Sequence, residues 1–390
     1  MEINKKLVLL FFVLPISLFS QNASDSNRLN TSEQLKIQPV LALQLWTTYS
    51  YGTRVYNKEK GIYEAAENRF NTQLRRSRIG LKVQFYEHLK YNLTASLDLV
   101  GKDVLTGTEA GGNNGASPQF RLWNAYIQWQ LIPEKESVNL VAGYFTPQMG
   151  RESITGAMRS TTMEKSWSQN YLRKHLTGTG PGRAAGINLG GLLKGSTGSI
   201  GFRYDIGLFN PVFQSLDGNS SGIKNAPLLV GRLVTYLGQP EADEYSLSHK
   251  VNYFGKRKGL AFAVSGAYQG NTDLFTKNYA AGIDFLFNWN KLNMDGEWTY
   301  LWRGGAQESE GFNVLSKSGY LRLSYNNKLD KGFILEPVLM YVFFEGETDY
   351  EGQFNAILVR SFSGRDANLN LGLNFYFNPN LKLSLNYTLR

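Results

Sequence analysis

The chain has no cysteine. That excludes a disulfide framework and any thiolate metal site, so an exported fold must hold together by packing and backbone pairing alone. Histidine is almost as scarce: His88, His175 and His249 are the three. His88 falls in a tight turn, His175 sits among cationic residues, and His249 lies on a segment whose strand character is open. No nucleophile elbow or metal-spaced histidine pair accompanies them, which argues against a Ser/His hydrolase and implies no metal and no cofactor. The glycine-rich run Gly178–Arg183 lacks a Walker lysine. Proline- or serine-rich linkers are missing after residue 36, and no segment keeps a helical period over three turns. The chain is therefore neither a helical domain nor a string of small ones.

What is present starts at the N-terminus. Met1–Lys6 is basic, Leu7–Phe19 is apolar apart from Pro15 and Ser17, and Ser20-Gln21 offers a small-residue cleavage point. This is the layout of a secretory signal peptide over residues 1–20, with an apolar part too short for a membrane-spanning helix. A polar leader follows over residues 21–36. Removing Glu2, Lys5 and Lys6 with the signal lowers the formal charge from +9 to about +8. The aromatic share of 13%, with 22 Tyr and 23 Phe beside 40 Gly, suits many strands joined by tight turns.

From residue 37 to the end, apolar and polar residues alternate, the mark of strands with two unlike faces. Ile79, Leu81, Val83 and Phe85 alternate with Arg78, Gly80, Lys82 and Gln84. Trp123, Ala125, Ile127 and Trp129 form one face against Asn124, Tyr126 and Gln128. Ile200, Phe202, Tyr204, Ile206 and Leu208 oppose Gly201, Arg203 and Asp205. Leu381, Leu383, Leu385, Tyr387 and Leu389 oppose Lys382, Ser384, Asn386 and Thr388. The chain is all-β.

A soluble sandwich turns its apolar faces inward; a transmembrane barrel turns them to lipid and lines its lumen with the polar ones. Three features favour the barrel over a soluble lectin or propeller, for which no blade-length repeat is evident. Strand runs reach about ten residues, enough to cross a bilayer when tilted. Short turns at Glu87–Leu89, Asn290–Lys291 and Asn378–Asn380 alternate with long loops at Gly52–Asn71, Lys102–Pro118 and Gly304–Asn313. Aromatic residues recur near strand ends (Tyr49, Trp129, Tyr144, Trp289, Trp302, Tyr387), where interfacial girdles lie. Fifteen runs are clear. Closed bacterial barrels have an even number of strands, so an antiparallel barrel of about 16 strands over residues 37–390 is expected, with Tyr245–Tyr253 as a candidate for the last strand or part of a long excursion.

One stretch breaks the alternation, GYFTPQMGRESITGAMRSTTMEKSWSQNYLRKHLTGTGPGR over Gly143–Arg183. Loops this long inside a compact fold are usually functional or disordered. Met149, Ile154, Met158, Met163, Trp167, Tyr171 and Leu172 give this one apolar anchors. It carries Arg151, Arg159, Lys165, Arg173, Lys174 and Arg183 against only Glu152 and Glu164. It is expected to fold into the barrel over residues 147–182 as a constriction loop. In a narrow low-dielectric passage such a cationic cluster concentrates anions, and arginine's planar fork suits an oxyanion.

Four stretches resemble the phosphate-selective porin O and P family. RRSRIGLK over Arg75–Lys82, with the FYEHLKYNLTASLDL that follows, is similar to its arginine-rich strand and hairpin partner. LWNAYIQW over Leu122–Trp129 is similar to the next strand, Gly143–Ser166 to its inward third loop, and LGLNFYFNPNLKLSLNY over Leu371–Tyr387 to a strand–turn–strand near its C-terminus. The chain ends at Leu389-Arg390, one strand earlier than the family pattern, which implies either a truncated chain or closure by an extra strand. The resemblance implies an outer-membrane homotrimer conducting small anions such as phosphate through an arginine ladder, with Arg75, Arg76 and Arg78 on the strand motif and Arg159 and Lys165 in the loop.

By strand phase, Arg76, Arg78, Lys82, Arg203, Arg232, Arg303, Arg322 and Lys382 point inward, and so do Asp98, Asp205, Asp284, Asp295, Glu297 and Glu336. The wall is mixed, and the loop tips the balance toward anions. Candidate pathway residues are Arg75, Arg76, Arg78, Arg151, Arg159, Lys165, Arg173, Lys174, Arg183 and Arg203. Three other readings stay open. Lumen arginines can simply brace the barrel against carboxylates while loop cations bind lipopolysaccharide. A sugar-conducting porin would use Trp46, Tyr126, Tyr376, Asp295 and Glu297. A structural or adhesive barrel would be plugged by the loop. Nucleic acid is not a partner, because the basic residues are spread through an exported barrel.

Overall fold

The computed structural model describes residues 9–13, 35–52, 54–57, 59–85, 88–103, 119–195, 200–211, 223–307 and 310–389. Of the leader stretches, residues 1–8 and 14–34 lie outside the described residues, as does most of the loop at Lys102–Pro118.

Fifteen long strands follow one another around the sheet: β1 Lys36–Ser50, β2 Arg69–Phe85, β3 Leu89–Ser96, β4 Arg121–Gln130, β5 Asn139–Phe145, β6 Ala184–Leu193, β7 Gly201–Asn210, β8 Leu228–Gly238, β9 Gly259–Gln269, β10 Lys277–Trp289, β11 Leu292–Gln307, β12 Glu310–Tyr325, β13 Ile334–Glu345, β14 Arg365–Asn378 and β15 Leu381–Leu389. Each pairs antiparallel with the next, in register set by the hairpins. Two short strands complete the 17-stranded sheet. Asn327–Lys328 merely extends β12 against β13. Leu9–Val13, inside the stretch expected to be a signal peptide, pairs antiparallel with β15. About sixteen independent strands is thus the observed number.

The sixteenth is not Tyr245–Tyr253. That segment belongs to the connection 239–258, which enters the barrel from the short-turn end and lies extended against the inner wall, with Tyr245, Leu247 and Val251 buried. Its alternation comes from touching a wall, not from a ladder: a single parallel bridge joins His249 to Thr155. The expected long loop at Gly304–Asn313 is also corrected. Strands β11 and β12 stay paired to Gln307↔Glu310, which leaves only residues 308–309 between them.

The faces settle the environment. Leu41, Ile79, Leu81, Ile206, Leu208 and Ile283 are exposed on the outside, while Arg303, Arg322 and Glu336 on the opposite faces are buried. A soluble sheet shows the reverse. Apolar girth outside and charge inside is the pattern of a membrane barrel.

Helices are few and short: α1 Arg151–Ile154, α2 Ser168–Thr177 and α3 Tyr350–Leu358, with single 3-10 turns at Ala157–Arg159 and Asp330–Gly332. Both α1 and α2 lie in the loop between β5 and β6. That loop fills one side of the lumen. Met149, Leu172 and Leu176 pack with Phe145, Phe209, Leu228 and Tyr245, and Trp167 packs with Tyr320, Met340 and Phe344. The other side, along β1–β5, stays open.

Candidate anion pathway

The loop's local turns follow from its glycines. Gly150, at φ 72°, starts α1 where a Cβ would strike Leu172 at 2.4 Å. Gly178 closes α2 in the left-handed conformation. Of the anchors expected from sequence, Met149, Ile154, Met163, Trp167 and Leu172 are buried, while Met158 and Tyr171 are half-buried.

Ion pairs then tie the loop to the wall. Arg151 reaches Glu241 at 2.8 Å and Asp284 at 3.0 Å, and Arg232 shares Asp284 at 2.7 Å. On the opposite flank Arg322 bonds Glu152 at 3.0 Å and Asp295 at 2.6 Å. Glu152 also accepts from Ser166 N at 2.7 Å, and its own N–H donates to Glu297 at 3.0 Å. Burial alone would raise the Glu152 carboxyl, but Arg322 and Lys165 outweigh it and hold it below the usual range.

Facing the loop, two β-bulges reshape the open wall. The first lies between Gln44 and Leu45, which pair with Arg76 and Leu74 and leave Arg75 as an extra residue. Strict alternation would point Arg75 to lipid; the bulge turns it inward beside Arg76. The second lies between Thr94 and Ala95, paired with Asn124 and Leu122, and makes Trp123 the extra residue. Trp123, expected on the outer face with Ala125 and Ile127, instead lines the lumen.

The result is a cavity of about 1040 Å³ between the loop and β1–β5. Seven of the ten candidate residues line it: Arg75, Arg76, Arg78, Arg159, Lys165, Arg173 and Arg183. Lys82 and Arg121 join them. The acidic lining is Asp98 and Glu164. Glu164 binds Arg75 at 2.7 Å and also Arg76, and Asp98 binds Arg78 at 2.5 Å. Among the described residues, no carboxylate pairs with Lys82, Arg159, Lys165, Arg173 or Arg183. Lys165 donates to Thr155 O at 2.8 Å, and Arg173 to Ser153 Oγ at 3.0 Å. Burial, reinforced by Arg173, pushes the Lys165 ammonium well below its ordinary value. Burial likewise lowers Arg173 to about 10, with Arg76 adding repulsion that Glu152 partly offsets.

Three candidates lie elsewhere. Arg151 is the fully buried tether already described. Lys174 is exposed on α2, over the Phe362 ring at 5.2 Å. Arg203 is buried against Asp205 at 2.9 Å and donates to Ser246 O at 2.8 Å. Loop charge alone could not separate these roles, because each depends on which wall carboxylate comes within reach.

With this geometry in view, comparison with known proteins narrows the kind of barrel. Residues 49–198 match the family model described as phosphate-selective porin O and P. The resemblance read from the motifs is shown over that stretch, which contains the arginine-rich strand, the extra residues Arg75 and Trp123 of the two bulges, and the whole loop between β5 and β6. No curated protein matches. Among solved structures, the anion-selective porin from Comamonas acidovorans superposes with a TM-score of 0.53 at 11% identity, covering 92% of this chain and 88% of that one. OprB of Pseudomonas putida, in its high-pH structure, gives 0.52 at 10% identity, covering 90% of this chain and 93% of that one. At such identities the likeness shows the fold. The family match over residues 49–198 and the barrel fold together support an outer-membrane porin.

Proposed function

We propose that the chain is a passive diffusion porin for small anions, phosphate among them. One observation carries this reading: five cations with no carboxylate partner among the described residues face one cavity, and burial and mutual repulsion disfavour the charge of three of them. Unpaired buried charge is costly, and a transient anion relieves it. Several spaced, moderate sites also let the solute leave, as conduction requires. Of the residues a sugar porin would use, Trp46 and Tyr126 line the cavity. Tyr376 instead donates to Glu336 at 2.8 Å, and Asp295 and Glu297 serve the loop tethers.

In this reading residues 1–20 direct export, residues 37–390 supply the fifteen long strands of the barrel, and the barrel works as a homotrimer whose outer loops meet lipopolysaccharide. N-terminal sequencing of the purified protein and cross-linking in detergent test the first and third points. The transport reading is tested by planar-bilayer conductance in a potassium chloride gradient with phosphate added to one side. The expected reversal potential lies on the anion side, phosphate reduces chloride current, and Arg159→Ala and Lys165→Ala weaken both effects. Cation preference, or no channels, would overturn it.

A further inference from the structure

The cavity wall holds a feature that charge alone does not explain. The Arg78 Cζ lies 3.6 Å from the centre of the Trp123 ring, and the Arg183 Cζ lies 3.5 Å from it. Two planar groups at that distance fit only one on each face, so the indole is sandwiched between two guanidiniums.

The two arginines are not equivalent. Arg78 is committed: Nη1 and Nη2 bond Asp98 at 2.5 and 3.1 Å, and Nη1 also donates to Ser77 O at 2.6 Å. Arg183 donates from Nε to Asn124 Oδ1 at 3.0 Å and from Nη1 to Pro181 O at 2.7 Å, and its Nη2 has no partner among the described residues. The aromatic faces carry the negative side of the ring quadrupole, so each guanidinium gains by lying flat on its own face. A flat guanidinium turns its N–H edge sideways, toward the lumen. The indole thus stands between Arg183 and the Arg78 guanidinium that holds Asp98.

We propose that Trp123 is a positioning residue of the anion path: it keeps Arg183 from pairing with Asp98 and holds its free edge open to passing anions. This rests on the anion-porin reading above. The bulge between Thr94 and Ala95 is what brings Trp123 in, so the device depends on one extra residue in β4. Removing the ring lets Arg183 swing toward Asp98, converting an available cation into a second partner for an already neutralised carboxylate.

The test is the chloride-to-potassium permeability ratio in planar bilayers for Trp123→Leu, Trp123→Phe and Arg183→Lys, with Trp129→Leu on the outer face as control. Trp123→Leu is expected to lower the ratio about threefold, the scale of one lost cation–π contact, without lowering unit conductance. Trp123→Phe, which keeps a π-face, restores most of the ratio. Arg183→Lys keeps the charge but cannot lie flat, and lowers the ratio as Trp123→Leu does. If Trp123→Leu yields no channels, Trp123→Phe and Arg183→Lys still decide. A wild-type ratio in Trp123→Leu, or in Arg183→Lys, would overturn the positioning role. Absence of anion preference in the unmodified protein would instead overturn the porin reading on which it rests.

Discussion

Arg322 of β12 grips Glu152 of the constriction loop through two parallel hydrogen bonds, of 3.2 and 3.0 Å, and spends its remaining donors on Asp295, Ser160 and Thr162. Every N–H of this fully buried guanidinium is used, which makes it the principal clamp between loop and wall. Arg322→Leu would strand Glu152 and Asp295 as buried, unpaired carboxylates. The expected loss is about 3–5 kcal/mol of stability, the usual cost of halving a buried pair, together with noisier single-channel current. Thermal unfolding in detergent and single-channel recording check both. Adding Glu152→Gln and Asp295→Asn should recover part of the stability.

Glu164 is the acidic residue that quiets the bulge arginines. It accepts from Arg75 Nε at 2.8 Å and also pairs with Arg76. Glu164→Gln removes that compensation, so anion selectivity should rise while stability falls by about 1–3 kcal/mol, the scale of hydrogen bonds to charged groups. Reversal potentials and unfolding curves give the two readouts. Unchanged selectivity would place Arg75 and Arg76 off the ion path.

Lys165 loses its proton at lower pH than a free lysine, because burial and then Arg173 disfavour its charge. Anion selectivity should therefore decline as pH rises toward the free-lysine value of about 10.4, before exposed lysines titrate. A cation with a depressed folded pKa binds fewer protons in the folded state, so its contribution to stability grows as pH climbs through the same window. Loss of selectivity there is not unfolding. Lys165→Arg, which stays charged, should flatten the pH profile of the reversal potential.

His249 joins the inner connection 239–258 to the constriction loop. Its ring Nδ1 lies 3.1 Å from Glu241, and its carbonyl accepts from Gly156 N at 3.1 Å. Burial lowers its pKa to about 4, against the pull of Glu241 and with help from Arg203. A depressed histidine stays neutral when folded but charges when released. Stability from this contact is therefore present above about pH 6.5 and is lost as pH falls toward 4, to a limit of about 3 kcal/mol. Hydrogen exchange of residues 239–258 should accelerate across that range, and His249→Gln should remove the pH dependence.

Much of this molecule is written in the period of its side chains. Alternation such as Ile206 and Leu208 against Arg203 and Asp205 fixes the strands and, given the charge on one face, which side meets lipid. The apolar anchors Met149, Leu172 and Trp167 already mark the long loop as folded, and RRSR at Arg75–Arg78 marks the cationic wall. These are local properties, set by a repeat of two and by the cost of charge in hydrocarbon. Only the tertiary structure decides what depends on register and on distant partners. A bulge of one residue sends Trp123 inward, because a single extra residue reverses the face of everything before it. The extended segment Tyr245–Tyr253 lies against a wall instead of joining the sheet. Arg151 and Arg173 carry the same charge in the same loop, yet Glu241 and Asp284 fold back to neutralise the first and leave the second to the pore. Which loop arginine is tied to the wall and which faces the cavity is decided by carboxylates up to 133 residues away, and no local pattern encodes that.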